Sequence, residues 1–188
     1  MTGRVNQKLR TRTAIVQAAA ELSRTGRELT MPEVAKAALV SEATAYRYFP
    51  DLASLLSEAI AGQLPTPEEA LASASDSTDP VERIAVATEF LLRHILARQG
   101  VVRAMIAATI VRPDEATARP GLRFGLIDHA LAPATGDLAQ LKRDLAVVVS
   151  AEALFSLTDL HGLDPEAAIA SLVRTATTLT RASLPTKS

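Results

Sequence analysis

The sequence contains no cysteine and no tryptophan, and its aromatic residues are two Tyr and four Phe. Without cysteine there is no disulfide framework, thiolate zinc site, iron–sulfur cluster or cysteine nucleophile. With so few aromatics, the core has to be built from Ala, Leu, Val and Ile. Long apolar runs are missing too. The longest, Ala104–Val111 and Leu145–Ala151, are flanked by charge and fall well short of the roughly 18 residues that a membrane span needs. Strand patterns are nearly absent. There is no G-x-S-x-G elbow and no phosphate-binding glycine loop. The three histidines, His94, His129 and His161, are scattered, with no pair at metal-ligand spacing. Asp128-His129 has the form of a base with its orienter, but nothing supplies a nucleophile. A catalytic constellation, a metal, a cofactor and a membrane partner are therefore not expected, and the chain reads as a non-enzyme.

What is present is enough apolar sequence for a sizeable core: 188 residues, 48% hydrophobic and 22% charged. The formal charge is −1, which excludes a wholesale polycation but not a local basic surface. Residues 1–12 hold Arg4, Lys8, Arg10 and Arg12 and no acid. That basic arm precedes Ile15, Ala18, Ala19 and Leu22, which recur at helical spacing. A signal peptide needs a longer apolar stretch than Ala14–Ala20, which Gln17 interrupts. The N-terminus is thus read as a helix of a folded cytoplasmic protein.

Helical periodicity runs through nearly the whole chain. A first helix is expected over Gln7–Thr25, stopped near Gly26. Thr30-Met-Pro-Glu33 is a capping box with proline in the first turn, so a second helix starts there and ends about Ala38. Ser41 caps a third over Glu42–Tyr48, which Pro50 ends. Asp51 opens a fourth, with Leu52, Leu55, Leu56, Ala59 and Ile60 on one face. Pro65, Pro67 and Pro80, with Ser and Thr between them, mark a linker, within which Glu68–Ala74 can form a turn or two of helix. Beyond it, Val81, Ile84, Thr88, Leu91 and Ile95 form the stripe of a fifth helix. A short apolar piece follows Gly100. Further helices are expected over Arg119–Leu131, Leu138–Leu160 and Pro165–Ser183, the last two joined as a hairpin through His161-Gly-Leu-Asp164.

Three short helices with the tight turn Ala38-Leu39-Val40-Ser41 read as a helix-turn-helix. The third helix fits the major groove of DNA and would expose Glu42, Ala43, Thr44 and Arg47. Tyr46 and Tyr48 can give hydroxyls to phosphates, and the start of the second helix near Thr30 offers backbone N–H groups to an anion. Ile15, Ala18, Ala19, Gly26, Thr30, Val40, Ser41, Thr44, Tyr46, Tyr48 and Phe49 stand at the spacing of a known pattern. On these residues, positions 11–63 resemble the DNA-binding domain of the tetracycline-repressor-like (TetR) family of bacterial transcription regulators. The resemblance implies base-facing roles for Glu42, Ala43 and Thr44, and backbone-positioning roles for Tyr46, Tyr48, Thr30 and Ser41. It allows either role for Arg47, and implies interhelical packing by Val34, Ala45 and Phe49. The chain departs from the family at Leu39, where Gly is usual, and at Leu52, where a phosphate-contacting Lys is usual.

The expected fold is all-α. Residues 1–63 would be a helix-turn-helix DNA-binding domain and 64–79 a linker. Residues 80–184 would form a helical ligand-binding and dimerisation domain, and 185–188 a tail. The expected function is a ligand-responsive transcription regulator, most often a repressor in this family, with operator DNA, a second copy of itself and an unknown small-molecule effector as partners. Phe90, His94, Met105, Phe124 and Phe155 are candidate ligand contacts. The last two long helices carry the apolar stripes expected of a dimer interface. The helix-turn-helix interaction protein with weakened DNA contacts and the all-helical enzyme stay open as alternatives.

Overall fold

The computed structural model describes residues 2–61, 63–111 and 122–184. The first residues of the expected 119–131 helix and the 185–188 tail lie outside them. Among the described residues there are eleven α-helices and no strand. In chain order they are α1 (Thr2–Ser23), α2 (Met31–Ala37), α3 (Glu42–Tyr48), α4 (Leu52–Ala61), α5 (Pro67–Ala70), α6 (Pro80–Ala97), α7 (Gln99–Val111), α8 (Leu122–Ala130), α9 (Ala139–Val148), α10 (Ala151–Phe155) and α11 (Pro165–Ser183). Among the described residues no single helix is long and apolar enough to cross a membrane.

The chain divides into two compact units, Met1–Leu64 with Ala97–Pro120, and Pro65–Leu96 with Gly121–Ser188. This differs from the expected division into residues 1–63, 64–79 and 80–184. The stretch 64–79 carries the turn or two of helix that its middle allowed. It holds α5, opened by a capping box between Thr66 and Glu69, and a 3-10 turn over Ala72–Ala74. The apolar piece after Gly100 is α7, and it belongs to the first unit.

In the first unit, α1 contributes Ile15 and Ala19, α2 Val34, α3 Ala45, and α4 Leu55 and Leu56 to one buried core. α7 adds Val101 and Met105 to the same core. Met105, expected among the ligand contacts, is thus a packing residue of the helix-turn-helix unit. Its apolar stripe announced burial but not the partner it would be buried against.

In the second unit, α6 buries Ile84, Ala87, Leu91, Leu92 and Ile95. α8 packs on α5 and α9, and α11 packs on α9 and α10. Arg93 of α6 forms a bidentate pair with Glu166 at the start of α11, at 2.8 and 2.9 Å. Those hydrogen bonds hold the Glu166 carboxyl below its ordinary range. The single long helix expected over Leu138–Leu160 is broken. Val149 and Ser150 leave the helical region, Ser150 at φ −145° and ψ 156°. The Ser150 hydroxyl accepts from the Ala153 N–H at 3.0 Å and donates to the Val147 carbonyl at 2.7 Å. A serine that caps one helix while closing the previous one offers the backbone an alternative to continuing. A π turn over Ser156–Leu160 then leads to Gly162 at φ 68° and Asp164. The Asp164 carboxylate accepts from the Glu166 and Ala167 N–H groups at 3.0 and 3.1 Å, capping α11 as expected.

The break decides which apolar residues of this segment are buried. Leu141, Leu145, Val149, Leu154 and Phe155 are all buried within the unit. Leu138, Val148, Ala153 and Leu157 are half-buried, and Val147, 72% exposed, and Leu160, 83% exposed, stay outside. On α11, Ile169, Leu172 and Ala176 are core residues, while Val173 and Leu179 are half-buried.

Candidate nucleic-acid interface

The interface is assembled from caps. Thr30 accepts from the Glu33 N–H at 3.4 Å, and the Glu33 carboxylate takes the Thr30 N–H at 3.0 Å and its hydroxyl at 2.8 Å. The reciprocal cap fixes where α2 begins. It also fills the N–H site near Thr30, expected to receive an external anion, with the chain's own carboxylate. Arg27 approaches the same Glu33 at 3.6 Å.

α2 ends in a Schellman motif. The Val40 N–H donates to the Ala35 carbonyl at 2.9 Å, and the Leu39 N–H to the Lys36 carbonyl at 3.2 Å. The motif requires a left-handed residue between the two helices, and that residue is Leu39, at φ 57°. Its side chain is 93% exposed, so packing does not offset the backbone cost. Left-handed geometry costs a β-carbon residue roughly 1–2 kcal/mol, and glycine gives back part of that through unfolded-chain entropy. Leu39→Gly is therefore expected to stabilise the unit by about 1 kcal/mol, read as a shift in the denaturant midpoint. An unchanged or lower midpoint would show that Leu39 makes contacts worth as much as the strain.

Ser41 starts α3 by accepting from the Thr44 N–H at 3.2 Å, and its hydroxyl meets the Thr44 hydroxyl at 2.9 Å. Ala45 and Phe49 are buried, as is Val34 opposite them on α2, matching the packing roles expected of all three. With Ala45 facing inward, helical geometry turns Glu42, Ala43, Tyr46 and Arg47 outward on one exposed strip. Tyr46 is 49% exposed. Thr44 and Tyr48 are half-buried: Thr44 is tied to Ser41, and Tyr48 packs against the core beneath the Arg47 guanidinium, 5.6 Å above its ring. Leu52, where the family places Lys, also packs its side chain against this core.

The sequence reading missed the environment of Arg12, counted there with the basic arm. Its guanidinium lies 4.5 Å over the Phe49 ring, donates to the Tyr48 carbonyl at 3.5 Å, and pairs with Glu58 of α4. Its spacing of three before Ile15, on the flank of the α1 stripe, was the available signal.

The candidate ligand contacts stand on α6, α7, α8 and α10. Phe90 and His94 stack on α6 with ring centroids 6.2 Å apart. Phe155 is buried in the second unit. Phe124 is 54% exposed, under the Arg123 guanidinium at 4.8 Å. Met105 is in the other unit. The second unit also has an open cleft of about 530 Å³ between α6 and α11, lined by Arg93, Glu166, Val173, Arg174, Thr177 and Arg181 among others. None of the five candidates lines it. Asp128 and His129 do not form a dyad: Asp128 pairs with Lys142 at 2.7 Å and His129 with Glu68 at 3.7 Å.

Comparison with known proteins agrees with this geometry. Residues 15–59 match the family model described as bacterial regulatory proteins, tetR family. The fold is similar to the crystal structure of a TetR transcriptional regulator from Rhodococcus sp. RHA1. That likeness has a TM-score of 0.60 and 21% identity, and covers 96% of this chain and 99% of that one. No curated protein matches the chain.

Proposed function

From a chain whose residues 15–59 match the tetR family model, we propose a homodimeric transcription regulator of that family that binds operator DNA through α3 and releases it when a small molecule binds the second unit. The DNA-binding regulator itself follows from the family. The dimer, the effector and the repressor role are the finer part of the proposal.

One observation carries it: α3 presents Glu42, Ala43, Tyr46 and Arg47 on an exposed strip while Ala45 and Phe49 lock the opposite face. A helix so held can enter the major groove, with Glu42, Ala43 and Thr44 toward bases and Tyr46, Arg47 and Ser41 toward the backbone. Tyr48 and Thr30 support the helix ends more than they reach out. Two linked α3 helices would read half-sites about 34–36 Å apart. A ligand acts by favouring a conformation in which that spacing is wrong, and only to the extent of its differential affinity for the two conformations. For the dimer, Val147 and Leu160 are exposed apolar residues and Val173 and Leu179 are half-buried on α11, and a twofold copy covers apolar surface of this kind most simply.

Binding of the wild-type chain to a duplex from upstream of its own coding sequence, against a random duplex, tests the reading directly. Selective binding is expected, with sedimentation as a dimer at micromolar concentration. Tyr46→Ala should weaken both duplexes alike, since a phosphate contact carries no sequence information.

A second reading, a helix-turn-helix interaction protein with weak DNA contacts, draws on Leu52. Its apolar side chain packs against the core at a position where a Lys would reach phosphate. Leu52→Lys separates the two. If α4 lies along the backbone, the substitution tightens binding and steepens the log–log salt slope by about 0.9. An unchanged slope would remove α4 from the interface.

A further inference from the structure

We propose that Arg12 is a positioning residue for α3: it sets the recognition helix from behind rather than touching DNA, and this rests on the DNA-binding reading above. Three interactions converge on one guanidinium. It stacks on Phe49, the residue that closes α3. It reaches the Tyr48 carbonyl, in the last turn of α3, where helix carbonyls lack partners and a cation is favoured. It pairs with Glu58, one turn from the end of α4. α1, the end of α3 and α4 thus meet on a planar cation that can stack and fork its donors at once, which an ammonium cannot do.

The Glu58 carboxylate also separates this role from a phosphate contact. A basic group that serves a phosphate has its charge free for it, whereas the Arg12 charge is matched within the unit. Lys8 and Arg10, on exposed turns of α1, are the arm's candidates for the DNA backbone. The two roles predict opposite signs for Glu58. Removing an acid near a DNA-binding face strengthens binding if only long-range charge matters. Loosening the Arg12 anchor weakens it.

The test is an anisotropy titration of the full chain over a range of salt, with the upstream duplex as probe and a random duplex beside it, for wild type, Arg12→Met, Glu58→Gln and the double variant. Each single variant is expected to bind the upstream duplex about tenfold more weakly, the loss of one charge-assisted hydrogen-bonding unit. The salt slope should stay at its wild-type value. The double variant should be no weaker than either single one, because both remove the same unit. A slope smaller by about 0.9 in Arg12→Met would make Arg12 a phosphate contact and overturn the proposal. So would Glu58→Gln binding as tightly as wild type or tighter. If Arg12→Met fails to fold, as judged by its helicity, the sign of the Glu58→Gln effect alone decides. A wild type that binds neither duplex would instead remove the DNA-binding reading, and this role with it.

Discussion

Arg83→Met is expected to destabilise the second unit by about 3 kcal/mol, more than any surface charge in the chain could cost. Arg83 is 6% exposed. Its Nε donates to the Ala130 carbonyl at 3.2 Å and Nη2 to the His129 carbonyl at 2.9 Å. Nη1 donates to the carbonyls of Ala74 at 3.0 Å and Ser77 at 3.4 Å. All four acceptors are backbone oxygens. Two of them end α8, where a cation is favoured; the His129 carbonyl also takes the Ala132 N–H at 3.4 Å. The other two belong to the turn and loop that lead into α6. One side chain therefore joins the end of α8 to the segment between α5 and α6. Methionine keeps much of the stem's volume but removes the guanidinium: the His129 and Ala74 carbonyls keep the Ala132 and Ser77 N–H groups, at 3.4 and 3.2 Å, so the loss falls on the Ala130 and Ser77 carbonyls, at about 1–3 kcal/mol for each that stays buried. Recovering the desolvation of the guanidinium offsets part of that sum. Urea unfolding followed by helicity measures the loss, and hydrogen exchange should place it first in α8 amides. A loss below about 1 kcal/mol would mean that water replaces the guanidinium at little cost.

The contrast between Arg83 and the caps shows which parts of this fold are legible in the sequence. Thr30, Ser41 and Asp164 were readable because a cap is local: the side chain bonds to N–H groups two or three residues ahead, and only those residues matter. The exposed strip of α3 followed from the same locality, since Ala45 inside fixes which neighbours face out. Arg83 needed more. It stands on the α6 face with Ile84, Ala87, Leu91 and Leu92, a position that a stripe drawn through 84, 88, 91 and 95 passes beside. Even a wider stripe gives burial without partners, and the partners lie 47 and 46 residues away. The break at Ser150 was hidden for a related reason. Serine is tolerated within helices, and its capping role depends on the chain turning there to bury Val149 and Leu154. α7 is the clearest case: its composition marked an apolar piece, and nothing local said which residues would be buried or in which unit. Val101 and Met105 are buried, while Ile110 is 75% exposed.

That placement of α7 makes Gly100→Ala the second large effect. On local grounds the substitution should help, because alanine is the better helix former by up to about 1 kcal/mol. The tertiary structure reverses the sign. Gly100, near the start of α7, is buried against the backbone between α1 and α2. A β-carbon there would lie 2.1 Å from the Arg27 carbonyl oxygen, 2.5 Å from its carbon and 2.8 Å from the Glu28 nitrogen. These are main-chain atoms, so no side chain can rotate aside. Either α7 backs away or the loop over Arg27 and Glu28 moves, and that loop leads directly into the Thr30–Glu33 cap. Backing away withdraws Val101 and Met105 from the core they share with Leu55 and Leu56. Overpacking of this kind costs about 1–3 kcal/mol even where a core can yield, so a net loss of about 2–3 kcal/mol is expected. Gly125 supplies the internal control. It lies within α8, and a β-carbon there meets only the Pro67 Cγ at 3.4 Å, an ordinary contact. Gly125→Ala should therefore gain the helix-propensity increment of up to about 1 kcal/mol. Urea midpoints of the two variants are expected to move in opposite directions, with Gly100→Ala also losing affinity for the upstream duplex. If Gly100→Ala were as stable as Gly125→Ala, α7 would not pack on the Arg27–Glu28 backbone, and its place in the first unit's core would be wrong.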